Sequence, residues 1–176
     1  AEASNTKLSY FDQQKQDPET GKNGWRYTPY VIEPAGGVTR GVLVYLLDAY
    51  HEEIVSDAKG NESTRVVMKF HPRLAPIKVA ILPLVKKEGL PEIGKELVKQ
   101  FFSAGINCKY DEQHAIGRRY RRHDEIGTPY CLTIDGQTKE DGTITIRDRD
   151  SMDQERIPLD QALAIVQQRL QDLGKS

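Results

Sequence analysis

Apolar positions along the chain fall into two regimes, one on each side of residues 71–76. In the first regime, residues 7–11 and 25–32 are short runs rich in aromatic and β-branched residues. They flank the turn-forming stretches Asp17-Pro18-Glu19-Thr20-Gly21 and Asn23-Gly24, which predicts a hairpin over residues 1–35. Glu33-Pro34-Ala35-Gly36-Gly37 reads as a tight turn. Residues 38–50 then place Val42, Leu43, Leu46, Leu47 and Tyr50 at helical spacing, with Val44 and Tyr45 widening the stripe and Thr39 a candidate cap. A helix this apolar is expected to be buried on most sides. Residues 56–64 read as a polar surface loop and 66–70 as a strand.

His71-Pro72-Arg73-Leu74-Ala75-Pro76 carries two prolines and suits a connector, so the domain boundary is placed there, giving 1–75 and 76–176. Beyond it, strand and helix signals alternate. Residues 77–85 form a continuous apolar run of the fully buried type. Residues 91–104 are an amphipathic helix opened by Pro91 and closed by Gly105, followed by a strand at 106–110. A basic helix, a strand at 130–134, a polar turn at 136–142 and strands at 143–147 and 154–159 follow. A last helix spans 161–173, with Asp160 as its cap. The expectation is an α/β domain with about five strands, largely parallel but mixed, and three helices, in two or three layers. An α+β segment precedes it.

Composition narrows the class. The chain has 176 residues, 29% charged and 38% hydrophobic, enough for a folded core. Its net charge of −1 means that a nucleic-acid site must be a local patch, not a global field. No apolar run approaches the roughly 20 residues that cross a bilayer. Cys108 and Cys131 stand in strand-like contexts and read as buried thiols. Neither the cysteines nor His51, His71, His114 and His123 have metal-ligand spacing, so no metal site is expected. The chain opens on Ala1, as a piece of a longer polypeptide or a processed chain would.

Three stretches carry candidate chemistry. Residues 113–130, Q-H-A-I-G-R-R-Y-R-R-H-D-E-I-G-T-P-Y, place Arg118, Arg119, Arg121 and Arg122 around Tyr120 on one helix. Guanidinium forks suit phosphates and stack on bases. The alternative is a solvated face paired with Asp111, Glu112, Asp124 and Glu125, with Arg121 in reach of Glu125. Residues 29–40, P-Y-V-I-E-P-A-G-G-V-T-R, set Glu33 before a glycine turn and Arg40 in the first turn of a helix. A cation there opposes the helix dipole, which suggests a ligand, although a turn Glu and a surface Arg read the same way. Residues 146–152, I-R-D-R-D-S-M, alternate in charge; a solvated loop with local ion pairs is the simpler reading. No Walker or G-x-G-x-x-G fingerprint is present, which argues against a nucleotide-binding enzyme of another class.

Together these stretches resemble a known family. Residues 29–43 resemble motif 3 of the class II aminoacyl-tRNA synthetases, in the form found in dimeric glycyl-tRNA synthetases. Residues 74–87, 116–130 and 145–152 resemble the C-terminal anticodon-binding domain of that enzyme. The resemblance implies that residues 1–75 are a remnant of the class II antiparallel-sheet catalytic domain. It implies roles for Arg40 at ATP and Glu33 at the ammonium group of glycine, and an anticodon-facing surface of Arg118, Arg119, Tyr120, Arg121 and Arg122. The implied partners are tRNA(Gly), with glycine, ATP and Mg²⁺ used by a cytoplasmic homodimeric parent and none held tightly by this chain. Ala35 stands where the family usually has Ser, and Thr39 where an acid often precedes the arginine. Motifs 1 and 2 do not occur in these residues, so the chain alone is expected not to aminoacylate. The rival expectation is a synthetase-like module that binds nucleic acid or protein without catalysis.

Overall fold

Val79–Pro83 (β5) and Tyr130–Ile134 (β7) are buried at every position, as strands covered on both faces must be. They are the centre of a five-stranded sheet in the computed structural model, which describes residues 8–56 and 60–172. Cys108–Tyr110 (β6), Thr143–Asp148 (β8) and Gln154–Pro158 (β9) complete it in the order β6-β5-β7-β8-β9. β6, β5 and β7 run parallel, while β8 and β9 add antiparallel edges. The sheet is therefore evenly mixed, and not largely parallel.

The two-residue period sorts the sheet into two faces. Val79, Ile81, Leu132, Ile134, Ile144 and Ile146 face Leu90–Ser103 (α2) and Ala162–Asp172 (α5). Ala80, Leu82 and Cys131 face Ile116 and Tyr120 of Ile116–Glu125 (α3). The result is a three-layer α/β sandwich.

Several boundaries depart from the pattern-based reading. Residues 136–142 are not a turn: Gly136–Asp141 (α4) is a helix with a reciprocal cap, in which Thr138 N donates to Asp135 Oδ1 at 3.2 Å and Asp135 N donates to Thr138 Oγ1 at 3.1 Å. A 3-10 turn, Leu159–Gln161, precedes α5, so Asp160 lies inside that turn. The expected last helical residue, Leu173, lies outside the described residues. The described residues of this domain thus form four α-helices where three were expected.

The chain divides into two compact units at Gly37 and Val38. In the first, Tyr10–Gln16 (β1) and Asn23–Tyr27 (β2) pair antiparallel. The expected strand at 7–11 begins outside the described residues, and the second strand stops short of Pro29, which has no N–H to donate. The Asp17 carboxylate shapes the turn by accepting from Glu19 N at 2.8 Å and Thr20 N at 3.2 Å. The indole of Trp25 stacks on Tyr27, with centroids 4.4 Å apart.

The second unit opens with Val38–Ala49 (α1), which runs straight into Tyr50–Ser56 (β3). Contrary to the expectation of a buried helix, only Ala49 is buried; Val42, Leu43, Val44 and Leu47 are 54–69% exposed. A helix apolar on all sides needs neighbours on all sides, and the described residues of its unit cover only its end. β3 pairs antiparallel with Glu62–Met68 (β4), from Tyr50↔Met68 to Ser56↔Glu62. This ribbon takes in Ser56 and residues 62–64 of the expected loop at 56–64, of which residues 57–59 lie outside the described residues.

Candidate nucleic-acid interface

α3 follows β6 and returns into β7, so its inward side is set by packing on the sheet. Ile116, Arg119, Tyr120, His123 and Asp124 occupy that side at helical spacing, and Arg119, His123 and Asp124 are buried. The run of four arginines is thereby split. Arg119 is 2% exposed and caps strand ends: its guanidinium donates to Pro83 O at 2.7 Å, Asp111 O at 3.2 Å and Leu84 O at 3.2 Å. Arg122 is half-buried and pairs with the Asp111 carboxylate. Arg118 is exposed and Arg121 half-buried. Among the described residues neither side chain forms an ion pair or hydrogen bond, and Arg121 does not engage Glu125.

Tyr120 lies over Ala80, Leu82 and Cys131. Its hydroxyl shares a 2.7 Å hydrogen bond with Thr133 Oγ1, and the Arg147 guanidinium sits 4.8 Å from its ring centroid. Burial raises its pKa. Its ring packs on the sheet as core, and its polar tip reaches toward β7.

Beneath α3 lies a buried charge network that the sequence reading missed. Asp124 accepts from Arg65 Nε at 2.9 Å and from Arg147 Nη1 and Nη2 at 2.8 and 3.1 Å. Arg65, fully buried in β4, also donates to Glu53 Oε2 at 2.7 Å and to the Arg149 carbonyl. Arg149 is 2% exposed and donates to Phe70 O at 2.9 Å and Gly127 O at 3.0 Å. Arg147 and Arg149 are therefore internal, not members of a solvated loop. The signal available in advance was strand period: Ile144 and Ile146 face one side of the sheet, so Arg147 must face the other, beneath α3.

His123 is fully buried, with Nδ1 3.1 Å from Thr128 Oγ1 and Nε2 4.0 Å from Asp111 Oδ2. Nε2 has no hydrogen-bond partner among the described residues. Burial pushes its pKa down to about 4, with Asp111 opposing. The Cys131 thiol, pushed up to about 12 by burial, and the half-buried Cys108 are both free.

α3 covers β5, β7 and the Arg147 end of β8, but not the rest of β8 or β9. On its side of the sheet those strands present Thr143, Thr145 and Arg156. Arg156 donates to both oxygens of Asp135, at 2.8 and 3.1 Å, and to Thr143 Oγ1 at 2.7 Å. Lys86 and Lys87 are exposed just beyond the carboxyl end of β5. This side of the domain offers the unpaired guanidinium groups of Arg118 and Arg121, the ammonium groups of Lys87 and of Lys86, which lies 3.8 Å from Glu112, and a polar sheet face, the chemistry that meets phosphates and base edges.

The remaining candidates are simpler. Glu33, in the first unit, is exposed in the irregular segment after β2. Arg40, in the second, is exposed in the first turn of α1. Among the described residues no three His, Cys, Asp or Glu side chains group to hold a metal ion. No described helix is long and apolar enough to cross a membrane.

Residues 78–169 match the family model described as "Anticodon binding domain". The chain is 49% identical over 173 residues to a glycine–tRNA ligase of Corynebacterium efficiens, covering 97% of this chain and 35% of that protein. It is 48% identical over 170 residues to that of Streptomyces coelicolor, and 44% over 171 to that of Treponema denticola, again over 97% of this chain. Those matches take in 35% and 37% of the relatives, so the chain spans about a third of the length of the curated proteins it matches. Among solved structures, a prolyl-tRNA synthetase of Cryptosporidium parvum complexed with L-proline and AMP aligns over 68% of this chain and 32% of that one. The TM-score is 0.56 at 20% identity, a likeness of fold.

Proposed function

The chain belongs to the anticodon-binding-domain family, and we propose that it is the C-terminal portion of a glycine–tRNA ligase, reading the anticodon of tRNA(Gly). Residues 76–176 form the anticodon reader, and residues 1–75 are the end of the class II catalytic domain. The observation that carries the RNA reading is the division of the arginines on α3. Arg119 is used up inside the fold and Arg122 by Asp111, while the side chains of Arg118 and Arg121 stay unpaired outside the inward stripe of α3, and Thr143, Thr145 and Arg156 leave a polar face on β8 and β9. Arg118 and Arg121 hold phosphates, and Thr145 and Arg156 meet base edges. The Tyr120 hydroxyl and Thr133 lie at the border between α3 and that face. Arg119 and Arg122 act through position, by fixing the helix on the sheet.

The parent is a cytoplasmic homodimer that activates glycine with ATP and then transfers it to the tRNA end. Its chemistry needs positioning and charge stabilisation rather than a protein nucleophile. Arg40 meets ATP and Glu33 receives the glycine ammonium. The Mg²⁺ that accompanies ATP finds no ligand set among the described residues, so no step through it is assigned to this chain. The purified 176-residue chain is expected to yield no glycyl-tRNA in an aminoacylation assay.

The test is binding of this chain to tRNA(Gly), and to the same tRNA with altered anticodon bases, at two salt concentrations. The expected result is anticodon-dependent binding. Arg118→Ala and Arg121→Ala each weaken it and reduce the salt slope by about one unit. Binding indifferent to the anticodon would overturn the reading and leave α3 as a solvated face.

A further inference from the structure

On the other side of the sheet, α2 and the segments around α4 and α5 leave a cavity of about 590 Å³, within the size range of ligand sites. Its floor is apolar. Leu97 is 2% exposed, and Ile93 and Leu159 are half-buried around it. Its rim is acidic: Glu96, Asp141 and Asp160 line it, and no lysine or arginine does.

The rim carboxylates differ in what holds them. Asp141 is fixed, accepting from Thr143 N at 2.9 Å, Thr143 Oγ1 at 2.7 Å and Gln137 Nε2 at 2.7 Å. These bonds lower its pKa, the Thr143 hydroxyl most. Glu96 pairs with Lys99 at 3.1 Å on an exposed helix surface, a contact weak enough to exchange. Asp160 is exposed and forms no ion pair or hydrogen bond among the described residues.

We propose that this groove docks a cationic amphipathic peptide segment of a protein partner. The apolar floor takes aliphatic side chains, and the three carboxylates take lysine or arginine heads. A small cation alone would leave the floor wet, and a purely apolar segment would leave the carboxylates unmatched. RNA phosphates are repelled by the same rim. Leu97 and Leu159 pack with Val79 and Ile81, whereas α3 packs on Ala80 and Leu82. The groove and the α3 surface therefore lie on opposite faces of the sheet and can be occupied together. The proposal stands whether or not α3 reads an anticodon.

The test titrates the full chain with a fluorescein-labelled amphipathic peptide of leucines and lysines, and with a control peptide in which glutamate replaces every lysine. Expected are saturable one-to-one binding of the lysine peptide only and NMR shift changes at Ile93, Leu97 and Leu159. Asp160→Lys should weaken binding about fivefold. Glu62→Lys, on the exposed face of β4, should leave it unchanged, and bound tRNA should not compete. No saturable binding at millimolar peptide would overturn the proposal. So would equal weakening by Glu62→Lys, equal binding of the glutamate control, or displacement of the peptide by tRNA.

Discussion

Asp124→Ala removes the hub of the network under α3, and its cost can be worked from the contacts. The carboxylate is fully buried and accepts three charge-assisted bonds, one from Arg65 and two from Arg147. Each such bond contributes about 1.5–3 kcal/mol. The larger effect is what remains: two guanidinium groups whose side chains are 0% and 6% exposed, facing each other without the carboxylate between them. Arg65 keeps Glu53 and the Arg149 carbonyl, and Arg147 keeps the Tyr120 ring, so the loss stays below the sum of three bonds. Breaking a buried pair by deleting one partner costs about 3–5 kcal/mol, and the expected loss is about 4 kcal/mol.

Urea unfolding followed by far-ultraviolet circular dichroism is the right assay, because the helices are in the second unit. Tryptophan fluorescence would mislead, since Trp25 is in the β1–β2 hairpin of the first unit. With a slope of about 2 kcal/mol per molar urea, the midpoint should fall by about 2 M. Arg65→Ala should cost less, about 2 kcal/mol, because Asp124 keeps both bonds from Arg147. A loss under about 1 kcal/mol for Asp124→Ala at unchanged slope would refute the claim that this network holds β4 to α3.

Gly127→Ala should destabilise by about 2 kcal/mol or more in the same unfolding assay, since Gly127 has a φ of 77° and an added Cβ would lie 2.8 Å from the Met68 carbonyl. Arg118→Ala should change stability by less than about 0.5 kcal/mol, whereas Arg119→Ala should cost about 2 kcal/mol by freeing two buried carbonyls and one half-buried one. Because His123 is neutral in the fold down to about pH 4, the unfolded chain takes up its proton first as pH falls below about 6.5. Its contribution is fully present above that pH and is lost progressively toward pH 4, about 3 kcal/mol in total. His123→Gln should flatten this part of a urea-midpoint profile against pH.

Elements whose burial is apolar were legible in the sequence. The strand at 130–134 has the expected bounds, and α2 differs by one residue at each end. Elements held by polar side chains were not. α4 has no apolar stripe; it forms because Asp135 and Thr138 cap each other and Gly142 closes it with a φ of 69°. β4 shows the same effect. Its inward positions are Arg65 and Val67, both fully exchanged from water, and an arginine at an inward position gives no period-two signal. The ribbon was therefore read as a loop followed by a short strand.

The basic run on α3 shows why charge is the hardest part of a site to read, and also where the missing information was. Consecutive helical residues are rotated by about 100°, so four arginines in five positions cannot share one role. Composition counts them alike, but phase does not. Ile116 is the apolar anchor of the helix, and from it the inward stripe runs through 119, 120, 123 and 124, the spacing at which the structure buries Arg119, His123 and Asp124. That phase alone assigns Arg119 to the interior and leaves Arg118 and Arg121 outside it. What phase cannot supply is the partner that neutralises an inward charge. Asp111 is reached through the β6–α3 loop, and Arg65 and Arg147 arrive from strands 59 and 23 residues away in sequence. Net charge near zero therefore hides two separate populations: arginines held inside the fold by shared carboxylates and backbone carbonyls, and a smaller set out of phase with the core that remains free to meet phosphate. Substituting the first set should cost stability, and substituting the second should cost RNA affinity alone.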